Sequence, residues 1–206
     1  MILEKATDEF GRCGKADAKI SRIAGAAGVS VGVIYKYYTD KDTLFHICLE
    51  NSLKTLSEVL TTSGASNDAE EMLRNILASI REFSKENPSV IRMYHAITSE
   101  PDEKEAAELA AEIEGISSSL YKDWISDGIE AGTIREDASP EMSAFFFDNL
   151  LMMLHFSYAL PYYRQRYRIY CGKDVDSAAS EKLLEEQLVA FLKAALNPAA
   201  QQGGKP

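Results

Sequence analysis

The chain has 206 residues, of which 46 % are apolar and 26 % charged, with a formal net charge of −10. That is enough apolar material for a sizeable core, in one domain or in a small domain joined to a larger one. No apolar run reaches the roughly 18 residues that span a bilayer, and MILEKATDEF sets acids among its apolar residues, unlike a secretory leader, so a soluble cytoplasmic protein is expected.

Helical periodicity runs throughout, and no period-2 segment reads as a strand. Ile2, Leu3, Ala6 and Phe10 form one helical face, with Gly11 and Gly14 expected to end it. A second short helix is expected from about Ala18 to Ala27, followed by Gly28 as a left-handed cap. Ser30 then caps a third, about Val31 to Tyr38. Thr39 or Asp40 opens a long helix with the stripe Phe45, Leu49, Leu53, Leu56, Leu60. A polar break follows at residues 63–67.

Met72, Ile76, Ile80 and Phe83 mark the next helix, stopped by Asn87-Pro88, and Val90 to Ile97 a short one. Ala106, Leu109, Ile113, Ile116, Leu120 and Trp124 mark a long one. Pro140 opens the most apolar helix, kinked or ended at Pro161, and Leu184, Leu188, Phe191 and Ala195 mark the last. The reading is all-α, with about nine helices. The expected divisions are a three-helix head at 1–46, a helical bundle at 47–197 and a disordered tail at 198–206.

Catalytic signatures are missing: there is no Gly-x-Ser-x-Gly, Gly-rich phosphate loop, HExxH or paired-cysteine motif. No enzyme activity, cofactor or metal is expected. Cys13, Cys48 and Cys171 are an odd set without metal-like spacing and read as buried or half-buried thiols. His95 and His155 lack a second ligand at i+3 or i+4 and read as structural.

The charge is uneven. Residues 1–50 hold seven basic and seven acidic side chains, so the whole excess of acid lies in 51–206. A neutral head on an acidic body can present a local basic face to DNA, while the body repels phosphate. Two short helices joined by Gly28-Val29-Ser30 form a helix-turn-helix, whose second helix enters the major groove. The positions Ile23, Ala24, Ala27, Gly28, Val29, Ser30, Gly32, Ile34, Tyr35, Tyr37, Tyr38, Lys41, Asp42 and Leu44 make this stretch resemble the recognition region of the TetR family. The resemblance covers about residues 2–50. Beyond it the match is in helical layout, with a Gly-Ile-Glu-Ala-Gly-Thr-Ile turn at 128–134 common before the family's eighth helix.

Within the stretch, Ile23, Ala24, Val29, Ile34 and Tyr38 read as core. Ser30, Val31, Gly32, Val33 and Lys36 face outward at the recognition helix: the valines suit thymine methyls and Lys36 a guanine edge or a phosphate. Tyr35 and Tyr37 offer hydroxyls to phosphate, and Lys41 sits at a helix N-terminus, where phosphate also binds. Two departures stand out. Ala18 replaces the family's Thr or Ser, leaving Asp17 as an alternative cap and Lys19 as a phosphate contact. The sequence begins almost at the first helix, so the basic arm that precedes it in the family is either absent or outside this sequence; together with Ala18 this points to modest DNA affinity.

The helix from Pro140 is apolar nearly all round, so one side suits its own core and the other a partner. With Leu183, Leu184, Leu188, Phe191 and Leu192 of the last helix it reads as half of an intersubunit four-helix bundle. The resemblance implies the same homodimer, with recognition helices about one DNA turn apart, roughly 34 Å, on a palindromic operator. From the head–body layout, a small-molecule effector of unknown identity is expected to bind between helices five to eight and to release the DNA by shifting the long fourth helix through its Phe45–Leu60 stripe. Phe83, Met93, Tyr94, Ile97, Trp124, Phe146, Asn149, Met153 and Phe156 are the candidate pocket. Arg164, Arg166 and Arg168 read either as an anion clamp or as a solvated stretch paired with acids. The expected function is a ligand-responsive transcriptional regulator, most simply a repressor; a helical adaptor or ligand-binding protein that has lost DNA binding is the alternative.

Overall fold

The computed structural model describes residues 1–63, 69–99 and 101–198. Among them are ten α-helices and no strand. They are α1 (Ile2–Asp17), α2 (Ile20–Ala27), α3 (Val31–Tyr37), α4 (Lys41–Ser63), α5 (Ala69–Glu86), α6 (Pro88–Ile97), α7 (Glu103–Glu130), α8 (Pro140–Ala159), α9 (Pro161–Cys171) and α10 (Ala178–Leu196). No helix is long and apolar enough to cross a membrane among these residues. The polar break after Ser63 and the tail beyond Pro198 fall outside the described residues, as do the side chains of Leu60 and Ile116.

The helix beyond the expected nine is α9. Pro161 cannot continue α8 because it lacks an N–H, and it takes the first position of a new helix instead. Leu160 between them is extended. The end of α1 also differs from expectation. Gly14 breaks it at φ 74, but Gly11 lies inside the helix. Gly11 is where α1 crosses the start of α6: a methyl placed on it would sit 2.7 Å from the Ser89 carbonyl oxygen and 3.0 Å from the Met93 nitrogen. Ser89 also donates to the Asp8 carboxylate across this crossing.

Three apolar clusters hold the chain together. The largest joins α5, α7, α8 and α10 through Leu73, Ile76, Ile80, Tyr121, Phe147, Leu151 and Val189. A small one gathers Phe83, Ile91, Phe156 and Leu160. The third contains Ala6, Phe10, Ile23, Ala24, Ile34, Leu44, Phe45 and Cys48 of the head, and also Met93 and Ile97 of α6 and Leu109 of α7. Head and body therefore share one core, so strain in α6 reaches α1 without passing through a loose linker.

Apolar side chains also remain outside. On α8, Phe145 and Phe146 are 60 % and 58 % exposed, and Met142 is exposed beside them. On α10, Phe191 is 60 % exposed and Leu183 is exposed. Leu192, expected on that outer face, is buried in the chain's own core, while Leu184 and Leu188 pack half-buried against it. The helix phase explains the split: Val189 and Leu192 face inward, while Leu183 and Phe191 lie round the other side.

Candidate nucleic-acid interface and effector cavity

The head is built by caps. Gly28 adopts the left-handed conformation at φ 67, which only glycine enters without cost, and its N–H returns to Gly25. Val29 N–H reaches Ala24 at 3.0 Å, completing the turn. Ser30 Oγ accepts the Val33 N–H at 3.3 Å, starting α3. Asp40, not Thr39, caps α4 by accepting the Thr43 N–H at 2.7 Å. Asp17 does not cap α2. The capping position is Lys19, whose own N–H goes to Glu9 Oε1 at 3.3 Å, and Glu9 is clamped by Arg12 at 2.7 Å. A buried carboxylate of α1 thus fixes the residue that starts α2, while no side chain caps the helix's own first-turn N–H groups.

The packing of Ile23, Ala24 and Ile34 turns the rest of α3 outward. Val31, Tyr35 and Tyr37 are 39 %, 49 % and 68 % exposed, and Gly32 and Lys36 are exposed with them. Val33 is half-buried, and Tyr38 packs against the head core. Lys36 Nζ stands 5.9 Å from the Tyr37 ring centroid, one cation–π contact on an otherwise free face. Lys19 is exposed near the start of α2. Lys41 is committed elsewhere: its Nζ donates to the Ala16 carbonyl at 2.8 Å and the Ala18 carbonyl at 3.4 Å, tying α4 to the α1–α2 link.

A narrow cavity of about 70 Å³ lies in the body. It is walled by Leu49, Ser52, Leu53 and Leu56 of α4, Val90, Ile91, Met93 and Tyr94 of α6, Ile113, Glu114, Ser117 and Tyr121 of α7, and Asp148, Leu151, Met152 and His155 of α8. The walls are thus α4, α6, α7 and α8, with α5 outside, where helices five to eight were expected. Of the nine expected lining residues, Met93 and Tyr94 reach it. Phe83, Met153 and Phe156 belong to the small cluster behind it. Ile97 packs in the head core. Trp124 lies tilted on Phe147 in the large core. Phe146 faces outward, and Asn149 is turned to the Phe145 carbonyl at 2.7 Å. Helix α8 presents residues 148, 151, 152 and 155 to the cavity, a different stripe from 146, 149 and 153.

The polar groups sequence reasoning missed are Glu114, Asp148, Tyr121, Ser117 and Ser52. One signal was available: Asp148 stands alone in the run Phe145–Leu154, and a charge in such a helix is costly unless something uses it. The Tyr94 hydroxyl donates to Glu114 Oε1 at 3.0 Å. Burial, with Glu114 close by, pushes the Asp148 carboxyl up to about 6. Burial, with neighbouring carboxylates adding, raises the phenols of Tyr94 and Tyr121. Burial depresses His155 to about 4, so its ring is neutral.

His155 is also a structural histidine: its Nδ1 meets Ser84 Oγ at 2.7 Å. His95 packs edge-on to Phe156 and Tyr163. Among the described residues no group of three His, Cys, Asp or Glu side chains is placed to hold a metal. Cys171 is exposed, contrary to expectation, while Cys48 is buried and its thiol pushed up to about 11 by desolvation. Two of the three arginines of α9 are paired with acids, Arg164 with Asp176 and Arg168 with Asp174, while Arg166 lies over Tyr170.

A family model described as bacterial regulatory proteins, tetR family, matches residues 2–48. The HTH-type transcriptional repressor SCO4008 of Streptomyces coelicolor is 31 % identical over 161 residues, covering 78 % of each chain. A nucleoid occlusion factor, SlmA of Glaesserella parasuis, is 34 % identical over 97 residues; that match spans 46 % of this chain and 48 % of SlmA, about half its length. The crystal structure of AibR in complex with isovaleryl coenzyme A and operator DNA shares the fold, with TM-score 0.68 at 17 % identity over 96 % of both chains. With the helix-turn-helix built as described and relatives matched along most of its length, this chain belongs to the TetR family of DNA-binding transcriptional regulators.

Proposed function

We propose that the protein is a homodimeric repressor that binds a palindromic operator and releases it when a small molecule enters the body. The observation that carries this reading is the outward face of α3, where Val31, Gly32, Tyr35, Lys36 and Tyr37 are exposed although three of them are apolar or aromatic. Such a face is expensive in water and matches the mix of methyl, hydroxyl and cationic groups that reads a major groove. Lys19 and Ser30 flank it as phosphate contacts, and Val33 lies at its inner edge. Lys41 acts here by holding the α1–α2 link, with any phosphate contact shared with that task. The division into a DNA-binding head at 1–46 and a sensing and dimerising body at 47–197 belongs to this reading, as do the cytoplasmic location and the absence of a catalytic role.

The dimer is supported by the exposed Phe145 and Phe146 on α8 and Leu183 and Phe191 on α10, apolar side chains that a monomer leaves wet. Replacing Phe146 and Phe191 by Glu places charge in that face. The expected result is a monomer by light scattering at concentrations where the parent is a dimer, with operator affinity lost because single heads bind weakly. An unchanged dimer would place the interface elsewhere.

Release follows from the cavity walls. At about 70 Å³ the cavity is small, whereas ligand sites usually run to roughly 300 Å³ or more, so an effector must part the helices. Met93 both lines the cavity and stands under Gly11. Moving α6 therefore moves α1 directly, beside the route through Leu49 and Leu53 of α4. Only an effector that prefers the parted state changes operator affinity.

A further inference from the structure

Two carboxylates, Glu114 and Asp148, face a cavity that is otherwise lined by apolar, aromatic and hydroxyl groups, with no Lys or Arg among its lining residues. Among the described residues neither has a cationic partner; Glu114 accepts from the Tyr94 hydroxyl. Both carboxylates are half-buried, so the two like charges repel with little screening and each loses part of its hydration. Acids alone do not make a site, but an independent group points into the same space. His155 is 6 % exposed and lines the cavity. The Ser84 hydroxyl donates to the Ile80 carbonyl at 2.7 Å, so its oxygen accepts the His155 Nδ1–H at 2.7 Å. That assignment leaves Nε2 as a lone-pair acceptor without a partner among the described residues.

We propose that the cavity binds the cation of a primary or secondary organic amine, its N–H groups donating to Asp148, Glu114 and His155 Nε2 and its apolar part lying against Met93, Met152 and Leu151. The inference rests on the sensor reading above and names the effector's chemistry. Three acceptors and no donor with a full charge exclude a carboxylate or phosphate ligand from the same place, since an anion there adds a third negative charge without a counter-ion. Because the acceptors are hydrogen-bonding groups and not only a charged field, N–H donors are required, and a quaternary ammonium leaves them unpaired. The groups facing Asp148 are Glu114 and Tyr121 of α7, Tyr94 of α6 and His155 of its own helix, while α4 contributes Ser52 and no titratable group. With Asp148 held near 6, amine binding weakens as pH falls through that value, because the protonated carboxyl no longer attracts the cation.

The test is calorimetric titration of the full chain, without DNA, with three probes that share a phenyl ring: benzylamine, benzoate and benzyltrimethylammonium. Benzylamine is expected to bind at least about tenfold more tightly than either of the others, and Asp148→Asn to weaken it about tenfold with the circular dichroism unchanged. Glu114→Gln serves as the second variant and is expected to weaken benzylamine in the same direction. Benzoate binding as well as benzylamine, no benzylamine binding, or full affinity in both variants overturns the proposal. The sensor reading is tested apart from this: it fails only if compounds that do bind the body, of whatever charge, leave operator affinity unchanged.

Discussion

Replacing Gly11 by Ala is expected to destabilise the protein by about 2–3 kcal/mol. In an open helical position the same change stabilises by up to about 1 kcal/mol, because alanine loses less backbone entropy. Here the added methyl meets the Ser89 carbonyl oxygen at 2.7 Å, the Met93 nitrogen at 3.0 Å and the Arg92 Cβ at 3.1 Å. Two of those three atoms are backbone and cannot rotate away. α1 and α6 must therefore separate, loosening the core that Phe10 shares with Met93. For a chain of this length the melting temperature should fall by about 4–12 °C. Gly115, inside α7 with nothing within 4 Å of its added methyl, is the control, and Gly115→Ala should leave the melting temperature unchanged or raise it. Equal melting of Gly11→Ala and the parent would mean that the head does not rest on α6 as described.

The second large effect is on DNA. Tyr35→Ala with Lys36→Ala removes two exposed side chains from each recognition helix, four per dimer. Lys36 at a base edge is worth about 1–3 kcal/mol in each half-site, and loss of the Tyr35 phosphate contact adds to it, so operator affinity should fall about a hundredfold or more. Tyr35 is 49 % exposed and Lys36, among the described residues, is held by the Tyr37 ring alone, so the melting temperature and the proposed dimer should be unaltered. Fluorescence anisotropy on a labelled operator duplex reads the first quantity and light scattering the second. Loss of affinity together with unfolding would make these residues structural instead.

The head was legible because its signals are local. Gly28 needs a left-handed turn, Ser30 and Asp40 need N–H partners within three residues, and Ile23 and Ile34 repeat on one face; each is decided by neighbours in the chain. Gly11 was misread for the opposite reason. A glycine that ends a helix and one that lets another helix approach look alike until α6 is placed. Helix α9 was hidden because none of its residues is buried, so it carries no apolar stripe. Helix α8 was seen, but its phase was not. Apolar residues almost all round give no preferred face, so Phe146 and Asn149 were taken for lining while Leu151 and Met152 held that position. The polar residues broke that symmetry. Asp148 and His155 lie seven residues apart, on one side of the helix, and that spacing marks the cavity face.

The central claim, that two heads of one dimer read a palindrome, is tested most directly by selecting bound sequences from a random duplex pool at stated, moderate salt. One palindrome whose half-sites lie about one helical turn apart, roughly 34 Å, is expected to be enriched, bound by the parent and not by the Tyr35→Ala, Lys36→Ala variant. Absence of any enriched sequence even at low salt, where phosphate contacts are strongest, would contradict it and return the protein to a helical ligand-binding or adaptor role.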